Sequence, residues 1–207
     1  MENLLKIFKA AKKSDLIIVA IIGFINGVVF YGISKVVELK IPYLWLLPLV
    51  FPPLGVLVMF VVSFIGKRFL AILQVARFFL VGTLNTFIDL GVLNVLIWIS
   101  GIATGPFYSL FKGISFLIAT LNSYLWNKHW TFSKREEIFA PKEYSKFLIV
   151  LIIGFLINVG IASFVVNIIG PQFGMGAKMW ANVGAFTAVL VAWIWNFTGA
   201  KFIVFKS

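Results

Sequence analysis

Asp89 is the residue that most needs a chemical explanation, because it lies near the centre of a long apolar stretch of this 207-residue chain. A carboxylate within a membrane costs at least about 2.5–3.5 kcal/mol on insertion scales, so it needs a partner or a water-filled cavity. Asn85 lies four residues earlier and would share its helical face. Two interpretations are open: a polar functional site inside a helix bundle, or a buried carboxylate that pairs with Lys112 to fix packing.

A second polar face is predicted on the next apolar stretch. Spacings of 3, 4, 3 and 4 residues place these side chains on one helical face: Lys112, Ser115, Ala119, Asn122 and Trp126. We expect this face to turn toward other helices, because lipid does not solvate it. Snorkelling to the membrane surface is an alternative for Lys112 but does not account for Asn122. A contact between Lys112 and Asp89 is expected to be long.

The chain lacks the residues that common catalytic and metal sites require. It has no G-x-x-x-x-G-K-[ST] phosphate loop and no H-E-x-x-H metal helix. Its two aspartates, Asp15 and Asp89, form no paired motif that would hold a metal and a nucleotide-sugar. The absence of cysteine excludes disulfides and thiolate metal sites. We therefore expect neither an enzyme acting alone nor a cofactor.

The elements that position these residues are membrane-spanning helices. The chain is 61% hydrophobic and only 12% charged, with a mean hydropathy of +1.05, which is typical of an all-α integral membrane protein. Windows of about 20 apolar residues predict six transmembrane helices, near 16–34, 43–66, 78–99, 108–127, 147–169 and 179–199. Asp89 is the one acidic residue within these predicted spans.

The distribution of positive charge predicts the orientation of the chain. Fourteen of the 18 Lys and Arg residues fall on the two tails and alternate connections, and four fall on the opposite connections. This asymmetry indicates cytoplasmic N- and C-termini in the cell membrane. The net charge of +11 is explained in this way, so we expect no nucleic-acid partner.

The last four predicted helices contain an internal repeat with an offset of 69 residues. It aligns Arg77 with Lys146, Asp89 with Asn158, Ala119 with Ala188 and Trp126-Asn127 with Trp195-Asn196. Each copy, 77–132 and 146–205, holds a pair of helices, so both copies enter from the same side. We expect parallel-topology repeats related by an axis along the membrane normal, with Asp89 and Asn158 both facing the bundle interior.

Three segments follow from this organisation. Residues 1–15 are predicted to be a basic interfacial N-terminus or a topogenic tail. Residues 16–74 form an accessory two-helix membrane module, in which Gly23 and Gly27 allow close helix contact. Pro48, Pro52 and Pro53 predict a kink or break near the middle of its second helix. Residues 75–207 form the four-helix core.

The core carries three short motifs in a specific order and spacing. They are Arg77-Phe78-Phe79-x-Val81-Gly82-x-x-Asn85-Thr86-x-x-Asp89, then Asn122-Ser123-Tyr124-x-x-Asn127-Lys128-x-Trp130-Thr131-Phe132, and finally Asn196-Phe197-x-x-x-Lys201-Phe202-x-Val204-Phe205. The pair Lys146-Phe147 opens the half of the core that the last motif ends. Across roughly 75–205 these motifs resemble the GtrA-like family of small membrane proteins. Members of that family typically have four spans, so the module at 16–66 is a departure.

The resemblance implies a flippase for a polyprenyl-phosphate-linked monosaccharide in cell-surface polysaccharide or glycolipid synthesis. The implied partners are this lipid-linked sugar, membrane lipid and a membrane-associated glycosyltransferase; a homo-oligomer is left open. Candidate substrate-binding residues are Asn85, Asp89, Lys112, Asn122, Asn127, Asn158 and Asn196. Candidate phosphate or headgroup residues are Arg77, Lys128 and Lys201, because a phosphate is bound by cations.

Two other functions remain open from the sequence. One is a non-transporting membrane partner that recruits or stabilises a polyprenyl-phosphate glycosyltransferase. The other is a small-solute or cation exporter, since four-helix drug exporters also use one intramembrane carboxylate. Those exporters typically use Glu in the first helix, whereas no Glu lies within a predicted span here.

Overall fold

The computed structural model of this protein describes residues 13–66, 70–131 and 141–199. Within these ranges the chain is all α-helical and contains no β-strand. The helices are α1 (Lys13–Val36), α2 (Leu47–Gly66), α3 (Leu70–Ser100), α4 (Gly105–Trp126), α5 (Pro141–Ser163) and α6 (Ala177–Gly199). A 3₁₀ turn, Leu44–Leu46, precedes α2, and π-helical segments Asn127–Thr131 and Phe164–Ile169 follow α4 and α5.

Five of these helical stretches are long and apolar enough to cross a membrane. They are Lys13–Val36, Leu44–Gly66, Val75–Ser100, Ile149–Ile169 and Ala177–Trp195. The helix α4 is also long enough, at 22 residues, but its polar face lowers its hydropathy. The predicted all-helical membrane fold is therefore confirmed, while the transmembrane placement of α4 stays a prediction.

Most helix boundaries differ from the predicted spans by a few residues, but α3 begins at Leu70 instead of 78 and α5 begins at Pro141 instead of 147. One of the smaller differences has a chemical consequence. The first span was expected to begin at residue 16, but α1 begins at Lys13 and places Asp15 in its first turn. Asp15 is only 3% exposed. The expectation that Asp89 is the one acidic residue within a span is therefore wrong. Residues 1–12 of the predicted interfacial segment and residues 132–140 of the predicted connection lie outside the described residues.

The chain divides into two compact units. The first unit comprises Met1–Ile88 and Asn122–Ser133, and the second comprises Asp89–Leu121 and Lys134–Ser207. The predicted domains are continuous in sequence, whereas each unit combines two segments that are separated along the chain. Both α3 and α4 contribute residues to each unit.

Close packing of α1 on α2 organises the first unit. A Cβ added at Gly23 would lie 2.8 Å from the backbone of Phe51 and Pro52, and one at Gly27 would lie 2.6 Å from that of Leu47 and Pro48. The close contact expected from these two glycines is therefore present. Their backbone neighbours include two of the prolines of α2.

The prolines of α2 do not break the helix. It is continuous from Leu47 to Gly66 with Pro52 and Pro53 inside it. Of the predicted kink or break, the break is therefore wrong, and the kink stays a prediction. The core of the first unit lies around this helix pair and consists of Val19, Ile22, Met59, Val81, Leu84 and Trp130. The motif residues Val81 of α3 and Trp130 of the π-helical segment after α4 therefore pack on α1 and α2, the two accessory helices.

The second unit is packed through small residues and aromatic edges. A Cβ added at Gly184 of α6 would lie 2.5 Å from Val166 Cγ2. The rings of Phe116 and Phe155 meet edge to face at 5.7 Å. The π-helical segment of α5 places Asn167 beside the start of α4, where its Oδ1 accepts a hydrogen bond from Gly105 N at 2.6 Å. This contact satisfies one of the free amides of the helix terminus.

Several equivalent positions of the sequence repeat have the same burial. Val81 and Val150, Asp89 and Asn158, and Ala119 and Ala188 are all buried. Asp89 is 3% exposed and Asn158 is 2% exposed, so both side chains are buried within the protein, as expected. The superposition of the two copies about a membrane-normal axis stays a prediction.

Candidate functional site

Asp89 forms a buried ion pair with Lys112 in the second unit. The Lys112 ammonium donates to Asp89 Oδ2 at 2.5 Å, and the Ser115 hydroxyl donates to Asp89 Oδ1 at 2.5 Å. Both donors come from consecutive turns of α4, as the predicted polar face requires. The expectation of a long contact is therefore wrong, and the direct pair that the sequence left as an alternative is present.

The burial of this cluster determines its electrostatics. Lys112 and Ser115 are 0% exposed and Asp89 is 3% exposed. Two opposite charges at hydrogen-bond distance neutralise one another, and the removal of either would leave an uncompensated charge in a medium of low dielectric constant. Snorkelling does not explain Lys112, because its ammonium points to Asp89 and not to the surface.

A second polar contact joins α3 and α4 within the first unit. Asn122 Nδ2 donates to Asn85 Oδ1 at 2.7 Å. The other amide group of Asn85, Nδ2, is buried and has no hydrogen-bond partner. Asn85 and Asp89 of α3 are therefore each paired with a candidate on α4, but Asn85 retains an unused donor.

Arg77, a candidate for phosphate binding, lies in a buried cluster of the first unit. Its Nη2 donates to Asp15 Oδ2 at 2.6 Å, and the Trp130 indole donates to Asp15 Oδ1 at 2.9 Å. Arg77 Nη1 also donates to the Trp130 carbonyl at 3.3 Å. Arg77 is 9% exposed, so the structure places it away from an open surface position.

Two further candidate asparagines have unsatisfied carbonyl oxygens. Asn127 donates from Nδ2 to Ser123 Oγ at 3.2 Å, but its buried Oδ1 has no partner. Asn158 is 2% exposed, and its Oδ1 also has no partner. The side chains of Lys128 and Asn196 and the whole of Lys201 lie outside the described residues.

The sequence interpretation missed an amide pair in the second unit. Asn94 Nδ2 donates to Asn182 Oδ1 at 2.6 Å, and Asn182 Nδ2 donates to Asn94 Oδ1 at 2.9 Å. Both residues lie within predicted spans, where an amide is unusual enough to indicate a partner. The exchange satisfies both side-chain carbonyl oxygens, so it is suited to helix packing.

The sequence interpretation also missed Asp15 and Trp130 as members of a polar cluster in the first unit. The burial of Asp15 could not be inferred, because it precedes the predicted span.

A groove of about 200 Å³ lies between the accessory helices and α3 in the first unit. Its lining is mainly apolar and includes Phe51 and Phe87, with Asn26 and Thr83 as the polar members. Asn26 is 7% exposed, and its Oδ1 has no hydrogen-bond partner. An unsatisfied amide oxygen therefore lines an otherwise apolar groove.

Helices that can cross a membrane, together with a buried polar contact between α3 and α4 within each unit, define a multi-pass membrane protein with polar groups buried between its helices. A family model described as the GtrA/DPMS transmembrane domain matches residues 77–205, which is more than half of the chain. The protein therefore belongs to the GtrA/DPMS transmembrane-domain family. This membership associates it with the translocation of polyprenyl-phosphate-linked sugars. Searches of curated proteins and of solved structures found no match to the chain.

Proposed function

We propose that this protein is a non-enzymatic flippase that moves a polyprenyl-phosphate-linked monosaccharide from the cytoplasmic to the outer leaflet of the cell membrane. Family membership supports the class of substrate. A glycosyltransferase on the cytoplasmic side would make this lipid, and transferases on the outer side would consume it. The hydrocarbon tail remains in the bilayer while the polar headgroup passes between helices.

The observation that carries the proposal is a set of buried polar atoms without partners. Asn85 Nδ2, Asn127 Oδ1 and Thr131 Oγ1 all belong to the family-matched segment and to the first unit. Buried polar groups in proteins are usually hydrogen-bonded, so each unsatisfied group needs an explanation. Sugar hydroxyls both donate and accept hydrogen bonds, and they can satisfy an amide donor, an amide acceptor and a hydroxyl.

The ion pair of Asp89 and Lys112 has a different role in this proposal. Its two charges are already compensated, and Asp89 would repel a phosphate. We assign the carboxylate to the sugar hydroxyls, which can compete with Ser115 for Oδ1. The phosphate is assigned to cations near the predicted cytoplasmic boundary: Arg77, Lys128 and Lys201.

Reconstitution tests the proposal directly. The purified full-length protein is placed in vesicles with a panel of labelled polyprenyl-phosphate hexoses, and leaflet transfer is measured by a membrane-impermeant reagent that modifies the sugar. We expect faster transfer than in protein-free vesicles, and a strong reduction by Asn85→Ala. Gln172→Ala, a change of an exposed amide in the connection that precedes α6, is the matched control and should transfer normally.

The same experiment also tests the alternative function, in which the protein does not transport lipid but supports a membrane-associated glycosyltransferase. If no hexose lipid is transferred by folded wild-type protein, the flippase proposal is wrong. Stimulation of a co-reconstituted polyprenyl-phosphate glycosyltransferase without transfer would then identify the supporting role.

A further inference from the structure

We propose that Arg77 and Trp130 form a phosphate-binding site in the first unit, and that the carboxylate of Asp15 occupies this site in the present structure. The inference rests on the proposed function for the source of the phosphate, a polyprenyl-phosphate lipid. It adds a gate, because Asp15 belongs to the accessory helix α1, outside the family-matched segment 77–205.

The donors of this site converge on one anion. Arg77 Nη2 lies 2.6 Å from Asp15 Oδ2, and Trp130 Nε1 lies 2.9 Å from Asp15 Oδ1. The Trp130 ring lies beside the guanidinium, with its centroid 5.8 Å from Arg77 Cζ. The contact between Arg77 Nη1 and the Trp130 carbonyl fixes the two donors relative to one another. An anion is therefore bound by a preorganised pair of side chains from α3 and from the extension of α4.

The carboxylate leaves this site incompletely satisfied. Arg77 Nε is buried and has no hydrogen-bond partner. In a guanidinium, Nε–H and one Nη2–H form a single edge that matches two oxygens of a carboxylate or phosphate. Asp15 places one oxygen on Arg77 and the other on Trp130, so no oxygen remains for Nε. The phosphomonoester of polyprenyl phosphate has one terminal oxygen more than a carboxylate and can bind Nε, Nη2 and the indole N–H together.

Because it satisfies one more donor, this phosphomonoester has an advantage over the Asp15 carboxylate once Asp15 has moved. While Asp15 remains in place, the site is closed, and the apparent affinity for phosphate is reduced by the fraction of molecules in which it is open. The accessory helix would thus control access of the lipid headgroup to Arg77. A family member without this helix would have no such competitor.

Binding of a radiolabelled polyprenyl phosphate, without sugar, to the full-length protein in detergent tests the inference. If the open fraction is about 10% or less, Asp15→Ala should bind the probe at least about tenfold more tightly than wild type. Glu38→Gln, which removes one negative charge from an exposed position, is the control for net charge and should bind like wild type. Inorganic phosphate as competitor separates the two sources of phosphate: equal competition indicates a site for free phosphate, and weak competition indicates a site for the lipid.

Two additional variants keep the test decisive if Asp15→Ala folds poorly. Asp15→Asn with Arg77→Gln removes both charges and should fold but not bind the probe. Trp130→Phe retains an aromatic ring and removes the indole donor, so this variant should bind the probe severalfold more weakly than wild type. Unchanged binding by Asp15→Ala, or retained binding by the double variant, would overturn the inference.

Failure of this inference can be distinguished from failure of the proposed function. Transfer of a lipid-linked hexose by wild type, together with probe binding that is insensitive to Asp15, would exclude only the gate. Tight, Arg77-dependent binding of the probe without any hexose transfer would exclude only the flippase.

Discussion

The Lys112 ammonium donates to Asp89 Oδ2 at 2.5 Å, with the Ser115 hydroxyl on the other carboxylate oxygen. The lysine has no exposed surface and the aspartate has 3%. The ion pair compensates the charge of Asp89, which is the residue that is most costly to place in a membrane among those of the predicted spans. It also makes the contribution of each charge measurable.

Single neutralisation of the Asp89–Lys112 pair should be strongly destabilising. Asp89→Leu or Lys112→Leu alone should lower the free energy of unfolding by about 3–5 kcal/mol, because each leaves the other charge buried without a partner. Asp89→Leu combined with Lys112→Leu should largely restore stability, as seen by thermal unfolding in detergent. A double variant no more stable than the single variants would contradict a direct pairing. Wild-type transfer by a well-folded Asp89→Leu protein would exclude a functional role for the carboxylate.

Replacement of Gly27 by alanine should disrupt the packing of α1 on α2. The added Cβ would lie 2.6 Å from the backbone of Leu47, so the helices must separate, at a cost of about 1–3 kcal/mol. Gly32→Ala is the matched control in the same helix, since a Cβ there meets nothing within 4 Å. Because alanine favours helix more than glycine, the control should be neutral or slightly stabilising. Equal melting temperatures for the two variants would show that the close contact is absent.

Removal of the unsatisfied amide in the apolar groove should increase stability. Asn26→Leu eliminates a buried oxygen without a partner, which should recover about 1–3 kcal/mol. Asn94→Leu removes an amide that exchanges two hydrogen bonds with Asn182, so it should lower stability by a similar amount. Thermal unfolding of both variants measures the contrast. Destabilisation by Asn26→Leu would indicate that its amide has a partner in the folded protein.

Cysteine labelling should show that α4 crosses the membrane. The chain has no native cysteine, so Thr104→Cys and His129→Cys, at exposed positions near the two ends of α4, can be labelled individually. A membrane-impermeant maleimide should label Thr104→Cys in intact cells and His129→Cys only after permeabilisation. Labelling of both from the same side would mean that α4 does not span, and labelling in the reverse order would invert the proposed orientation.

Much of the fold could be predicted because a membrane imposes simple rules on a helix. Every backbone group within lipid needs an internal partner, so long apolar stretches become helices of the required length. The predicted spans accordingly match α1 to α6 within a few residues at most termini. The close contact at Gly23 and Gly27 was also predictable, since small residues four apart leave a surface on which another backbone can pack.

The polar contacts were predictable only where both partners had a local signal. Lys112 was predicted as a partner of Asp89 because each charged residue stands out in an apolar helix. The positions of the two residues along their helices did not fix the distance between them. Asn85 and Asn122 were placed on the correct faces by helical periodicity.

Tertiary structure alone decided the partners that are distant in sequence. Asp15 meets Arg77 across 62 residues and Trp130 across 115, and Asn94 meets Asn182 across 88. No spacing rule relates such pairs, because their contact depends on which helices pack together and at what rotation. The sequence by itself determined the membrane class, the helices and the polar faces, since these follow from local hydropathy and periodicity. Whether Arg77 faces an open surface or a carboxylate of the accessory helix follows from packing, which is a property of the whole chain.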